Sequence, residues 1–293
     1  MNHDHLQRVL LEQANVRCVV VHLDEVYRQV RERGHYPDRL ARLLGESLVI
    51  SALCSSGIKF DGRVSLQLRA SGAVKLLMAD CTDAGGLRGL ARFDPAALPG
   101  AYGFAEMTDG GVLTMTIEPA GHGRTWQGVV PLAGNSMAEA IAEYFDRSEQ
   151  LPTRVLLAVD ENRAAGLLVQ RLPGAAGDDD GWRRACRLVE TLGQQELLDT
   201  DAETLLHRLF HEEDRRLFPA RPLQFHCPCS RDRVARVLRG LGENELRAII
   251  ESESEVGVDC EFCNEHYRFD RLDVERLLVS DDPEGDGPGP TVH

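Results

Sequence analysis

Lysine is nearly absent from this 293-residue chain, occurring only at Lys59 and Lys75, so arginine supplies almost all the positive charge. Thirty-three basic residues stand against 47 acidic ones, a formal net charge of −14. Phosphate backbones are held by basic surfaces, so this balance argues against nucleic acid as the main partner. Long apolar runs are missing too. No stretch of about 18 apolar residues occurs, and no membrane-spanning helix is expected. The opening residues Met1-Asn2-His3-Asp4-His5 have no basic patch followed by an apolar core. The expectation is a cytoplasmic protein without a secretory signal, in which thiols rest reduced and a disulfide is a signal, not a scaffold. Aromatic residues are scarce at 5%, within a hydrophobic content of 43%. That is the composition of a soluble globular chain, long enough for two domains. Catalytic signatures are lacking as well. Gly85-Gly86-Leu87-Arg88-Gly89 and Gly121-His122-Gly123 are not followed by Lys-Ser/Thr opening a helix, and they read as turns. No G-x-S-x-G places a nucleophile at an elbow, and the chain is not expected to be an enzyme.

What is present is concentrated near the C-terminus. Cys227-Pro228-Cys229 is followed thirty residues later by Cys260-Glu261-Phe262-Cys263. Two close thiol pairs separated by a short folded stretch are what a tetrahedral zinc site needs. Cys227, Cys229, Cys260 and Cys263 are therefore the candidate metal ligands. Four thiolates complete such a site, so the neighbouring His226 and His266 are read as lying outside the ligand set. The single spacer of C-x-C leaves the two sulfurs barely enough backbone to reach one metal. Without the metal, both pairs hold thiols close enough for disulfide formation. Of the other cysteines, Cys18 lies in an apolar strand and Cys54 in an apolar helix, where a free thiol packs as a small hydrophobe. Cys81 ends a strand and Cys186 lies in a charged segment, and neither is assigned a role.

Composition divides the chain into parts. Residues 1–177 read as an α/β (α+β) domain with a mixed sheet. Strands are expected over Val16–His22, a hairpin over Arg63–Arg69 and Ala73–Ala79, and more strands at Gly86–Phe93, Val112–Ile117, Thr125–Val130, Arg154–Val159 and Gly166–Leu172. Pro37 suits the first turn of a helix through Leu40–Leu53. Ser136-Met137-Ala138-Glu139 is a capping box ahead of a helix at Ala140–Phe145. Residues 178–223 form a charged helical linker, with helices expected over Trp182–Leu198 and Ala202–Phe210. Segment 178–220 carries 11 acidic residues and six arginines, and short helices of this kind depend on docking for stability. A small zinc-binding unit follows over 224–280. Its helices are expected after Ser230, at Glu243–Ile250 and at Leu272–Leu278, with a hairpin through Tyr267-Arg268-Phe269. Residues 281–293 read as a disordered acidic tail. A unit of about 55 residues has a marginal core, and a metal often completes such a fold.

The chain resembles the heat-shock protein 33 family, the redox-regulated, ATP-independent holdase chaperones of the bacterial cytosol. The resemblance is carried by Phe225-His226-Cys227-Pro228-Cys229-Ser230 and by Val258-Asp259-Cys260-Glu261-Phe262-Cys263-Asn264. It extends to Ala140–Gln150, to Thr125-Trp126-Gln127-Gly128-Val129, and to the layout of domain, linker and tetracysteine unit. The resemblance implies that the reduced thiols bind one zinc ion and hold the protein inactive. Oxidants would form the disulfides Cys227–Cys229 and Cys260–Cys263 and expel the metal. The linker would then unfold, exposing apolar surface that captures unfolding client proteins, in a protein that is a homodimer when active. Two other classes compete. A thiol–disulfide oxidoreductase would use Cys260 and Cys263, although acidic Asp259, Glu261 and Glu265 flank that pair. A zinc-ribbon adaptor on RNA or the ribosome would have to overcome the acidic balance.

Overall fold

Leu40 to Ser55 is apolar except for a narrow side carrying Arg42 and Glu46, and such a helix must be covered over most of its surface. The computed structural model describes residues 4–57, 61–98, 103–121, 123–132, 134–174 and 179–279. The chain divides into two units, Met1–His226 and Cys227–His293. The first opens with β1 (His5–Leu11), β2 (Val16–Leu23), α1 (Glu25–Gly34) and α2 (Asp38–Ser55). Next come β3 (Gly62–Arg69), β4 (Val74–Thr82), β5 (Gly86–Phe93), α3 (Phe104–Met107), β6 (Val112–Pro119) and β7 (Trp126–Pro131). Then follow α4 (Met137–Tyr144), β8 (Thr153–Val159), β9 (Ala164–Arg171), α5 (Asp179–Glu190), α6 (Gln194–Asp199) and α7 (Ala202–Phe210). Three short strands, β10 (Arg215–Leu217), β11 (Arg221–Pro222) and β12 (Gln224–Phe225), end the unit. No helix among the described residues is long and apolar enough to cross a membrane.

Two six-stranded sheets enclose α2. The first runs β10-β1-β2-β9-β8, with β11 also paired to β1, and the second runs β12-β5-β4-β3-β6-β7. All pairs are antiparallel except β12 on β5, so the architecture is α+β with one mixed sheet. α2 packs on β2 and β9 of the first sheet and on β3, β4 and β5 of the second. Its buried serines are satisfied locally. Ser47, Ser51 and Ser55 donate to the carbonyls of Leu43, Leu48 and Ala52 at 2.9, 2.8 and 2.7 Å, which lets polar residues sit in an apolar layer.

β2 shows why a valine-rich strand is buried on both faces. Val19, Val21 and Leu23 join the cluster around α2, while Val16, Cys18 and Val20 point the other way. That outer face is covered by the charged segment. Ala185, Val189 and Leu192, then Leu197, Leu198, Ala202, Leu205, Leu206 and Phe210, pack with Val9, Leu11, Leu167 and Val169. The helices are amphipathic, with their charges facing water.

Some elements differ from expectation. The helix expected over Trp182–Leu198 breaks: α5 ends at Glu190 and α6 starts after Gly193. Thr191 and Leu192 donate their backbone N–H groups to Leu188 and Val189, closing α5 with tight turns. The capping box before α4 is shifted. Ser136 Oγ accepts from Glu139 N at 3.2 Å, but Glu139 Oε2 accepts from Asn135 N at 2.8 Å, one residue further out. Gly85 has φ +85°, and a Cβ there would stand 2.3 Å from Pro222 O. The glycine thus makes the β4–β5 turn and lets the chain ahead of β12 approach it. Residues 175–178, where the first domain is expected to pass into the charged linker, and the tail at 281–293 lie outside the described residues.

The second unit comprises α8 (Arg231–Arg239), α9 (Glu243–Glu253), the hairpin of β13 (Glu255–Asp259) and β14 (His266–Asp270), and α10 (Arg271–Val279). Its core is small: Ala235, Leu238, Leu246, Ile250, Val256, Phe269 and Val274.

Candidate metal centre

Local hydrogen bonds place each of the four C-terminal thiols. Ser230, directly after Cys229, is the N-cap of α8, its Oγ accepting from Arg233 N at 3.2 Å. Arg233 reaches back to donate to Pro228 O at 3.1 Å, bracing the C-x-C loop. The second pair lies on the turn that joins β13 to β14. Cys260 O accepts from Cys263 N at 3.2 Å and from Asn264 N at 2.7 Å, while Cys260 N donates to Glu265 O at 2.9 Å. Asn264 takes φ +59°, a left-handed position that asparagine tolerates. α8 is pinned to the hairpin by Arg231, which donates to Arg268 O, pairs with Asp273 at 2.6 Å and stacks 4.3 Å over the Phe269 ring.

The result is a cluster of sulfurs. Cys227, Cys229, Cys260 and Cys263 have all four Sγ atoms within 4.8 Å of one another, and each residue is half-buried. Cys227 Sγ lies 3.6 Å from Cys260 Sγ, and Cys229 Sγ 3.2 Å from Cys263 Sγ. Tetrahedral bonds of about 2.3 Å to sulfur imply edges of about 3.8 Å. Donor type, number and spacing therefore fit a zinc-like cation. Among the described residues no histidine joins the group. His266 faces Asp259 across the hairpin, with Nδ1 2.6 Å from its carboxylate. His226 donates its backbone N–H to Leu87 O in the first unit.

One neighbour was not foreseen. The Tyr267 hydroxyl donates to Cys229 Sγ at 3.2 Å. Burial raises the Cys229 thiol, but the bonds from Tyr267 and the adjacent thiols outweigh it and hold Cys229 below the ordinary range. The same bond pushes the Tyr267 hydroxyl up. Burial raises Cys227 and Cys263. Cys229 is thus moved down while Cys227 and Cys263 are moved up. Only the hairpin register, with Tyr267 opposite Val258, delivers that hydroxyl; no spacing rule announces it.

The other thiols stand apart. Cys18, Cys54 and Cys81 are buried and Cys186 is half-buried. Burial pushes Cys54 up to about 12 and Cys81 to about 11, so these thiols remain protonated at neutral pH.

Comparison with known proteins adds to this geometry. The sequence model described as "Hsp33 protein" matches residues 4–270. The 33 kDa chaperonin of Pseudomonas paraeruginosa is 43% identical over 300 residues, covering 100% of both chains. That of Methylobacillus flagellatus is 41% identical over 281 residues and covers 95% of each. The crystal structure of the Thermotoga maritima 33 kDa chaperonin superposes with a TM-score of 0.81, covering 94% of this chain and 98% of that one. At 23% identity, that likeness speaks for the fold.

Proposed function

Because the chain belongs to the Hsp33 family, whose relatives here are named chaperonins, we propose that it is a redox-gated, ATP-independent holdase. The carrying observation is the gathering of four sulfurs within 4.8 Å in a unit whose core is only seven side chains. In this reading Cys227, Cys229, Cys260 and Cys263 hold one zinc ion, which contributes on the order of 10–16 kcal/mol of apparent folding free energy in small zinc domains. These residues clip α8 to the hairpin and keep the unit folded while reduced.

Peroxide supplies the oxidant. Each pair of thiolates gives up two electrons to form one S–S bond, and the peroxide takes those electrons with two protons to become two waters. The pairing Cys227–Cys229 and Cys260–Cys263 follows the family resemblance. The reduced geometry favours no pairing, since every sulfur is close to every other. Loss of the clip is proposed to loosen the linker, residues 178–223. The face it would uncover is the outer side of the first sheet, with Val9, Leu11, Val20, Leu167 and Val169, together with the apolar stripes of α5 to α7. Unfolding proteins expose apolar surface of their own, and the hydrophobic effect would drive capture there. The active form is read as a homodimer in the bacterial cytoplasm, with neither nucleic acid nor a membrane as partner.

The oxidoreductase alternative draws no support from the site. Cys260 and Cys263 sit on a hairpin turn, not at a helix N-terminus that would lower a thiol pKa. Light scattering by an aggregating client tests the proposal. Reduced, zinc-loaded chain should leave aggregation unchanged, and peroxide-treated chain should suppress it. Equal protection in both states, or none, would overturn the redox gate.

A further inference from the structure

At the C-terminus of α2 the layer between the two sheets ends in three arginines: Arg8 of β1, Arg17 of β2 and Arg221 of β11. Two of them have local work. Arg8 Nη1 donates to Ser56 O at 3.3 Å. Arg221 donates to Asp83 O at 2.9 Å and to Ser55 Oγ at 2.5 Å. Arg17 does not. Its guanidinium lies against Gly57, where an added Cβ would stand 3.1 Å from Nη1 and 3.2 Å from Nη2. Its Nε is buried and has no hydrogen-bond partner among the described residues. The charged or titratable groups acting on it are the Cys54 thiol and Arg8, with no carboxylate among them.

A second orphan sits beside it. Gln170 is the residue opposite Arg17 in the β2–β9 ladder and is 0% exposed. Its Nε2 donates to Thr153 Oγ1 at 2.8 Å, while its Oε1 is buried without a partner. Arg221 Nε is buried and unpartnered as well. Burial pushes Arg17 and Arg221 below the usual arginine range; Cys54 and Cys81 oppose it next, the Arg8 charge adds to it at both, and Asp83 also opposes it at Arg221. The carbonyl end of a helix offsets about half a charge, and Asp83 acts on Arg221, so the positive surplus falls on Arg8 and Arg17. A guanidinium withdrawn from water without a counter-charge is costly, and its planar fork matches a tetrahedral oxyanion.

We propose that this group of arginines at the end of α2 is an oxyanion site, with Arg17 holding the ligand, Arg8 and Arg221 as flanking cations, and inorganic phosphate as the class it takes. The inference is independent of the redox reading. Its consequence is general: a ligand bound by the folded form stabilises that form by mass action.

The test uses the reduced, full-length chain. Sodium phosphate is titrated by calorimetry against sodium chloride at matched ionic strength, and Tm is followed in the same buffers. Saturable binding with a rising Tm is expected. Arg17→Gln should weaken binding by about tenfold or more, since charge-assisted bonds are the strong ones, and Arg17→Lys should restore part of it. Gly57→Ala places a methyl in tight contact with the guanidinium, 3.1 Å from Nη1, and should weaken binding too, which keeps the proposal testable if Arg17→Gln does not fold. No saturable binding to the unaltered chain overturns it. Equal affinity in the unaltered chain and Arg17→Gln does the same.

Discussion

Cys54 and Cys229 carry the same side chain, and their surroundings move them in opposite directions. Cys54 lies in α2 between two sheets, and burial lifts its thiol to about 12. Cys229 lies at a loop end, half-buried, with a tyrosine hydroxyl and three thiols around it, and it is held below the ordinary range. Cys18 and Cys81 side with Cys54. The thiolate is the nucleophile and the metal ligand. A buried thiol without donors is inert, and one that neighbours help to ionise is available to metal or oxidant. The contrast teaches that cysteine chemistry here is set by hydrogen-bond donors and water access, not by the residue itself.

The largest effect should come from breaking the cluster. Cys260→Ser removes one sulfur from the proposed ligand set, and a structural zinc site of this kind is worth about 10–16 kcal/mol. Zinc stoichiometry should fall, and the unit from Cys227 onward should become protease-sensitive even when reduced. Full stoichiometry with unchanged resistance would show that Cys260 is not a ligand.

A smaller effect should blur the contrast from the buried side. Phe210 is 0% exposed in the cluster that also covers Cys18. Phe210→Ala should cost about 3–5 kcal/mol, speed proteolysis within 179–210, and raise alkylation of Cys18 as read by mass spectrometry. Unchanged Cys18 labelling would mean that α7 does not guard that thiol.

The alkaline limb of stability sharpens the comparison. The folded chain keeps Cys54 protonated up to about 12, against an ordinary 9.0. The unfolded chain therefore releases that proton first, so stability is intact below pH 9 and declines between pH 9 and 12, by about 1.4 kcal/mol per pH unit for one thiol. Denaturant titrations across that window should show a shallower slope in Cys54→Ala, whatever its absolute stability. An identical slope would remove Cys54 from the cause. Tyr267→Phe should be the mildest change, at about 1 kcal/mol. It deletes the donor to Cys229 and should raise that thiol's apparent pKa in alkylation–pH profiles of zinc-stripped protein, whereas an unmoved profile would leave Tyr267 without influence.

Much of the first unit was legible because its signals are local. Valine runs, the hairpin around Ala70-Ser71-Gly72 and the Ser136 cap lie within a few residues of the elements they specify. β1, α1 and the short strands β10 to β12 were not. Residues 215–225 look like loop until β1 and β5 offer their edges, and α1 is amphipathic for only ten residues. The break at Gly193 was missed because apolar spacing runs through it on both sides.

The sequence by itself determined the candidate ligands and the chain's character: two close thiol pairs at ligand spacing, an acidic chain poor in lysine, and no apolar run long enough for a membrane-spanning helix. Spacing along a chain suffices for that, since two thiols one or two residues apart cannot be far from one another. Tertiary structure alone decided the rest. It brought the two pairs within 4.8 Å, aimed Tyr267 at Cys229, and set Arg17, whose Nε has no partner among the described residues, opposite Gln170, whose Oε1 has none. Those relations join residues 31 to 153 positions apart, and only the packing of sheets and helices brings such groups into contact.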